Sequence, residues 1–308
     1  MSLKIIAFGE ALFDLYESEE SNENIEIDAF GGGAPMNFIC ACKKFGADKC
    51  IFYTNLSNSN FSKKIKSILK DFKIKLRTRR KSIEPPAAMV TKKGDFNFFI
   101  TPETFKFSSW AFKSRDFSKA DLFHFGSLFL STREGYRATR KAIKKAKRKK
   151  VKVSFDVNFR PGIIELLKLK QRKFIRRIKR ILKYVDILKV NEQEAELLFG
   201  SSRTKKIFKH FSNRYNVKKI LVVTRGKKGA DVIHNAKVYS HPAFKANIFV
   251  DATGAGDVFF AGFMIKILGT YSEGILEEEM IKSAMEYAAG QAALSTEYKG
   301  AISALSEM

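Results

Sequence analysis

Residues 251–257 read Asp-Ala-Thr-Gly-Ala-Gly-Asp, and the apolar run VFFAGFMIKIL follows at 258–268. The stretch Thr253-Gly254-Ala255-Gly256 has almost no side-chain bulk, so its backbone can come close to a ligand. The run behind it predicts a buried helix, which puts these residues at the positive end of a helix dipole. Gly254, Ala255 and Gly256 therefore form a candidate anion hole, with Asp257 at its rim. Donors for a transferring phosphoryl group beside a carboxylate that can take a hydroxyl proton are what phosphoryl transfer to an alcohol needs. Asp is also a good helix N-cap, so a purely capping role for Asp257 stands beside the catalytic one.

Three other turns hold glycines or acids at the ends of expected strands: GEALFD (9–14), GGGAPMN (31–37) and VTRGKKG (223–229). In open α/β sheets ligands bind beyond the carboxyl ends of the strands. The familiar nucleotide loops are absent. GKKGAD (226–231) lacks the Lys-Ser/Thr ending of a P-loop, and GGGAPMN lacks the third glycine and later acid of a dinucleotide fingerprint.

The elements that must position these turns follow from periodicity. KIIAF (4–8), DLFHF (121–125), VKVSFDV (151–157), DILKV (186–190) and ILVVT (220–224) read as buried strands. Helices are expected over 34–45, 134–149, most of 163–184, 193–199, and from 256 and 278. GADVIHN and AKVYSH read as two further antiparallel strands. Repeated β-α-β units predict an α/β fold with a mainly parallel sheet and helices on both faces. NIEIDAF (24–30), ended by Gly31-Gly32-Gly33, and AAMVTKKGDFNFFI (87–100), read as a hairpin turning at Lys93-Gly94-Asp95, break that rhythm. They suggest a small separate sheet.

Lys and Arg number 57 against 32 acids, a net charge of +25. In 138–149 and 174–185 the basic residues alternate with apolar stripes (Ala138, Ala142, Ile143, Ala146; Phe174, Ile178, Ile181, Leu182, Val185), the pattern of outer helices with a basic face. No aromatic residues interleave with those charges as a single-strand nucleic-acid platform would need, so no specific nucleic-acid partner is expected. Three cysteines and four scattered histidines suggest neither a disulfide framework nor a metal cluster. No apolar run approaches a membrane span, and no leader pattern opens the chain. A cytoplasmic protein without a membrane partner is the expectation. The 29 Phe residues read as core filling.

Two signatures together resemble the ribokinase-like carbohydrate kinases of the PfkB type, and among them the fructokinases: GGAPMNFICACKKFG (32–46) and DATGAGDVFFAGFM (251–264). HFGSLFLSTRE, FDVNFRPG, KVNEQEAELLFG, VTRGKKGA and KGAISAL appear in the family's order, so the resemblance covers nearly the whole chain. It implies a single ribokinase-like α/β domain over 1–308 with a β lid from about 12–30 and 86–104, and a homodimer formed through the lid. It implies that Asp14, Gly32, Gly33, Asn37, Asn158 and Arg160 bind the sugar; carboxylate and amide groups suit a polyol because each bonds two hydroxyls. Asn191 and Glu194 would position phosphates and Mg2+ through water, although the same pair also reads as a capping box. Thr224, Gly226 and Gly229 would form the nucleotide loop, and Asp251 and Thr253 a monovalent-cation (K+) site. Asp257 would be the general base. Ala252 and Ala289 stand where the family more often has Thr and Asn.

The expected activity is ATP- and Mg2+-dependent phosphorylation of a sugar primary hydroxyl, with fructose the leading acceptor. 2-Keto-3-deoxygluconate, ribose or a nucleoside are the alternatives, Arg160 being a ready partner for a keto-acid carboxylate. A non-catalytic protein that binds nucleic acid or another anion on the same fold is the rival of a different class.

Overall fold

The computed structural model describes residues 2–20, 25–80, 83–90, 96–214, 219–270 and 276–308. In chain order the elements are β1 (Lys4–Phe8), β2 (Leu12–Glu20), β3 (Ile25–Gly32), α1 (Ala34–Lys44), β4 (Lys49–Leu56), α2 (Asn60–Asp71), β5 (Lys75–Arg80), β6 (Ala87–Val90), β7 (Phe96–Phe99), α3 (Ser114–Phe117), β8 (Leu122–Gly126) and α4 (Arg133–Arg148). They continue with β9 (Lys152–Asp156), α5 (Pro161–Leu166), α6 (Gln171–Leu182), β10 (Ile187–Asn191), α7 (Glu192–Phe199), α8 (Thr204–Arg214), β11 (Ile220–Thr224), β12 (Ala230–His234), β13 (Lys237–His241), α9 (Ala255–Thr270), α10 (Glu278–Ser295) and α11 (Ala301–Glu307).

Nine strands form one sheet in the order β13-β12-β11-β10-β9-β8-β1-β4-β5. It is parallel from β11 to β5, and β12 and β13 add an antiparallel edge. The run of Ile, Val, Leu and Phe in each central strand is buried on both sides, because helices cover both faces. One apolar layer joins that sheet to α1, α9, α10 and α11, and the other joins it to α4, α5, α6, α7 and α8. The Phe content fills the second layer: the Phe8 ring lies 4.9 Å from Phe107, 5.1 Å from Phe112 and 4.7 Å from Phe129.

The two segments that break the β-α rhythm form a separate four-stranded sheet, β3-β2-β6-β7. The turn expected at Lys93-Gly94-Asp95 lies outside the described residues. Two differences from the sequence reading stand out. Gly31 and Gly32 do not break the chain; they complete β3, paired with Phe13 and Leu12, and the turn comes at Gly33 with φ 104°. Between Gly46 and Pro85, where sequence pattern assigns nothing, the chain forms β4, α2 and β5. β5 is an edge strand, Lys-Leu-Arg-Thr-Arg-Arg in sequence, and its Arg77 pairs with Asp116 at 2.8 Å.

Candidate active site

The parallel register of the large sheet brings the site together. Asp156 ends β9, Asn191 ends β10 and Thr224 ends β11; register sets Lys189 beside Asp156 and Asn191 beside Thr224. The Lys189 Nζ to Asp156 Oδ2 distance is 2.6 Å, with both side chains buried. The strand ends open into a cavity of about 630 Å3 lined by Asp156, Asn158, Arg160, Lys189, Asn191, Glu194, Thr224, Gly254, Gly256 and Asp257, with Tyr16, Val90 and Phe96 of the small sheet on the opposite wall. That volume suits a small organic ligand.

Asp257 is the third residue of α9 and not its cap. Its amide closes the first turn on the Gly254 carbonyl at 2.9 Å, and its side chain turns inward. Oδ2 accepts a 2.9 Å hydrogen bond from Asn37 Nδ2, and Oδ1 lies 3.7 Å from Lys189 Nζ. Burial pushes the carboxyl up to about 6; the Asp156 charge adds to this, while Lys189 and Asn37 oppose it. Such a group is ionised at neutral pH yet basic enough to take a proton. Gly254 has φ 77°, and a Cβ there would run into Ala301, so only glycine fits. Ala255 N–H donates to the Ala252 carbonyl at 3.2 Å. Its amide therefore closes a turn, and Gly254 and Gly256 carry the backbone that faces the cavity.

The remaining site residues fall into two groups. Asp14, on β2, is buried against Gly32, where any side chain would collide with its carboxylate. Burial first, then the Asp251 charge, push Asp14 up to about 7, with Arg160 opposing. Arg160 extends under the small sheet, its guanidinium 5.3 Å from the centre of the Phe96 ring. Asn158, with φ 37°, turns the chain out of β9 into that position. Asn191 and Glu194 form a reciprocal capping box at the start of α7. Glu194 Oε2 accepts from Asn191 N at 2.9 Å, and Oε1 from Phe159 N at 2.6 Å. Thr224 lines the cavity, whereas Gly226 and Gly229 sit just beyond it in a 3₁₀ turn.

Asp251 works inside the chain. Oδ1 accepts from Thr253 N and Oγ1 at 2.9 and 2.8 Å, and Oδ2 from Tyr16 OH and Gly300 N at 2.7 and 2.9 Å. These donors take up the four acceptor positions of a carboxylate, so a cation bound by Asp251 and Thr253 would have to displace one of them.

Sequence reasoning did not single out Lys189, Asp156, Glu10 or Tyr16. A Lys inside the apolar strand DILKV and an Asp ending VSFD were visible signals, since a charge in a buried strand requires a partner. Glu10 is buried with Oε2 unbonded, and its carboxyl is pushed up to about 7, chiefly by burial. Asn37 Oδ1 and Asp156 Oδ1 are likewise buried without a hydrogen-bond partner. Glu10 and Asp156 lie close enough to perturb the Asp257 region electrostatically, and Asn37 bonds Asp257 directly. Buried orphan acceptors are uncommon in native proteins, and a ligand, a water or an ion can satisfy them.

The pfkB family carbohydrate kinase model matches residues 2–308, and the chain belongs to that family. It is a sugar kinase of that family. The chain is 30% identical over 318 residues to a probable fructokinase-5 of Arabidopsis thaliana, covering 98% of this chain and 94% of that protein. Its fold superposes with a TM-score of 0.85 on a fructokinase double mutant of Vibrio cholerae solved with fructose, ADP and potassium ion, at 24% identity over 99% of this chain and 96% of the other. It also superposes, with a TM-score of 0.83, on an aminoimidazole riboside kinase of Salmonella enterica, at 22% identity over 98% and 96% of the two chains. The ribokinase-like fold expected from the sequence is the fold observed.

Proposed function

We propose that this chain transfers the γ-phosphoryl group of ATP to the primary hydroxyl of fructose, giving fructose 6-phosphate. The observation that carries the reading is the pair of orphan acceptors, Glu10 Oε2 and Asn37 Oδ1, beside a buried Asp257. A polyol is the neutral ligand that brings several donors at once. Asp14, Asn37, Asn158 and Arg160 bind it, with Gly32 leaving room for the Asp14 carboxylate and Gly33 making the turn against the Glu10 carbonyl. Asp257 takes the proton of the attacking hydroxyl as the new P–O bond forms and the bond to the leaving ADP breaks. The backbone at Gly254 and Gly256, at the start of α9, faces the transferring group. Thr224, Gly226 and Gly229 sit where the nucleotide enters, with Asn191 holding the start of α7.

The donor set fits a hard divalent cation. Asp156 Oδ1 has no partner within the chain, and each oxygen of Glu194 accepts a single amide bond. Mg2+ held there through water would neutralise phosphate charge. No step depends on K+ at Asp251 and Thr253.

The small sheet acts as a lid that excludes water as a competing acceptor. Its exposed Ile27 and Phe99 suit pairing with a second lid in a homodimer. The likeness to a probable fructokinase-5 and a fructokinase-2 supports fructose ahead of 2-keto-3-deoxygluconate or ribose as the acceptor. ADP release with fructose, ribose, 2-keto-3-deoxygluconate and adenosine tests the reading. Turnover with fructose alone supports it, turnover only with another acceptor overturns the acceptor, and no turnover with any of them overturns the kinase roles.

A further inference from the structure

The positive charge of this chain is concentrated. Residues 133–150 hold ten Lys and Arg and one acid, and residues 168–183 hold nine and none, so 34 residues carry 18 of the 25 net charges. These segments are α4 and α6 with their flanks. The two helices cross over between neighbouring strands β8, β9 and β10 and bury their stripes in the same core layer, so they lie side by side on one face of the sheet. Arg177 of α6 reaches across to α4, 5.5 Å from the Tyr136 ring, and donates to the Leu130 and Ser131 carbonyls. Arg133, Arg137, Lys144 and Arg148 form an exposed row on α4, and Arg172, Arg176, Arg180 and Lys183 another on α6. Solvated helix faces usually mix acids among their bases. Here Lys147, paired with Asp186, is the one cation of the nineteen in an ion pair among the described residues.

A second observation falls beside this face. Trp110, the only tryptophan in the chain, is 82% exposed. It lies in a 3₁₀ turn, Ser109–Ala111, packed on α4, with Lys141 Nζ 3.4 Å from its ring centre. Leu166, at the end of α5 and shortly before α6, is 55% exposed.

We propose that the α4–α6 face docks on the surface of an anionic lipid bilayer. The two exposed rows lie on neighbouring helices of one layer, and a bilayer surface can meet both rows at once. Clustered Lys and Arg are what anionic headgroups attract, and exposed Trp and Leu at the margin settle at the headgroup level. Nucleic acid fits less well. A duplex is a cylinder and touches a flat face along one strip, and single strands need free aromatic rings between the cations. Trp110 is one exposed ring at the margin, with Lys141 over it, and Tyr136 is not free, since Arg140 and Arg177 lie 5.7 and 5.5 Å from its ring centre. The outer residues of α4 and α6 do not line the cavity, so the docked chain keeps its site open.

The test is co-sedimentation of the full chain with vesicles of phosphatidylcholine, with and without about 30 mol% phosphatidylserine, at about 0.15 M salt, alongside Trp emission. The single tryptophan makes the emission a direct reading of Trp110. Binding to the anionic vesicles alone, with a blue shift, is expected. Each basic residue at such a surface changes partitioning by about fivefold, so Lys144→Gln, Arg148→Gln, Arg176→Gln and Arg180→Gln together should weaken binding by more than about a hundredfold. A thermal melt like that of the parent shows that this variant still folds. Equal binding to neutral vesicles, binding without a blue shift, or an undiminished affinity in the folded variant would overturn the proposal. So would tighter binding to a mixed-sequence DNA duplex than to the anionic vesicles at the same salt.

Discussion

Lys189 is the residue through which the proposed base can be tested without removing it. Its ammonium lies 3.7 Å from Asp257 Oδ1 and 2.6 Å from Asp156 Oδ2, all three groups buried. At 3.7 Å and an effective dielectric constant of about 20, the Lys189–Asp257 attraction is roughly 4.5 kcal/mol, or about three pH units on the Asp257 carboxyl. Lys189→Met removes it. Asn37 and Arg160 still favour the ionised form in the variant, so we expect about two units. The Asp257 step then moves from about 6 to about 8.

The assay is the pH profile of kcat/KM for the sugar, which reports the free enzyme. A general base works only when ionised, so activity falls as pH falls through its pKa. In the parent, Asp14 at about 7 and Asp257 at about 6 both need to be ionised, and the slope steepens from one toward two between these values. In Lys189→Met the fall begins near pH 8, and much of the rate returns at higher pH. Asp156→Asn removes a charge that raises the base, so its Asp257 step should move down. Both variants lose a buried ion pair, at about 3–5 kcal/mol of stability, and are compared well below their melting temperatures. Limbs that stay put, or that move in the same direction, would refute the assignment of Asp257 as a base tuned by this pair.

Three more outcomes are expected. Asp257→Asn keeps the bond to Asn37 within reach of a flipped amide but cannot take a proton, so kcat should fall about 10²–10⁴-fold with sugar affinity by calorimetry nearly unchanged; equal loss of both would make Asp257 structural. Tyr16→Phe removes the 2.7 Å bond between the small sheet and Asp251, so the lid should close less firmly and sugar-independent ATP hydrolysis should rise relative to sugar phosphorylation; an unchanged ratio would remove Tyr16 from any closing role. Replacing K+ by tetramethylammonium in the assay should leave kcat unchanged, because protein donors already occupy the acceptor positions of Asp251; a large loss would restore a cation to that carboxylate.

The parts of this fold legible from sequence are those set by local repetition. The stripe Ala138, Ala142, Ile143 and Ala146 on α4 and the buried strands around β9 and β10 each declare themselves within a dozen residues. The 47–80 stretch does not. α2 buries only Ser62, Ile65 and Leu69, and β5 puts Arg and Lys where a strand pattern needs apolar alternation, so both read as solvated charge. The site divides in the same way. The small-residue turn before α9 is local and could be read; the Lys189–Asp156 pair depends on how β9 and β10 align, and Tyr16 meets Asp251 across 235 residues. Local pattern carries neither, because both arise only when separate elements pack.

The charge distribution ties these observations together. A chain with a surplus of 25 positive charges lines its cavity with Asp156, Glu194, Asp251 and Asp257 and keeps Asp14 and Glu10 buried behind them. Burial pushes Asp14, Glu10 and Glu194 each up to about 7. A cluster of this kind cannot ionise fully without a countercharge, and the cations that line the cavity are Lys189, Arg160 and Lys299. The nineteen cations of the α4 and α6 segments do not line the cavity; they belong to helices of one layer, while Asn37 and α9 lie in the other. The basic face and the acidic cavity are thus separate devices: one sets how the molecule meets its surroundings, and the other sets when Asp257 can accept a proton.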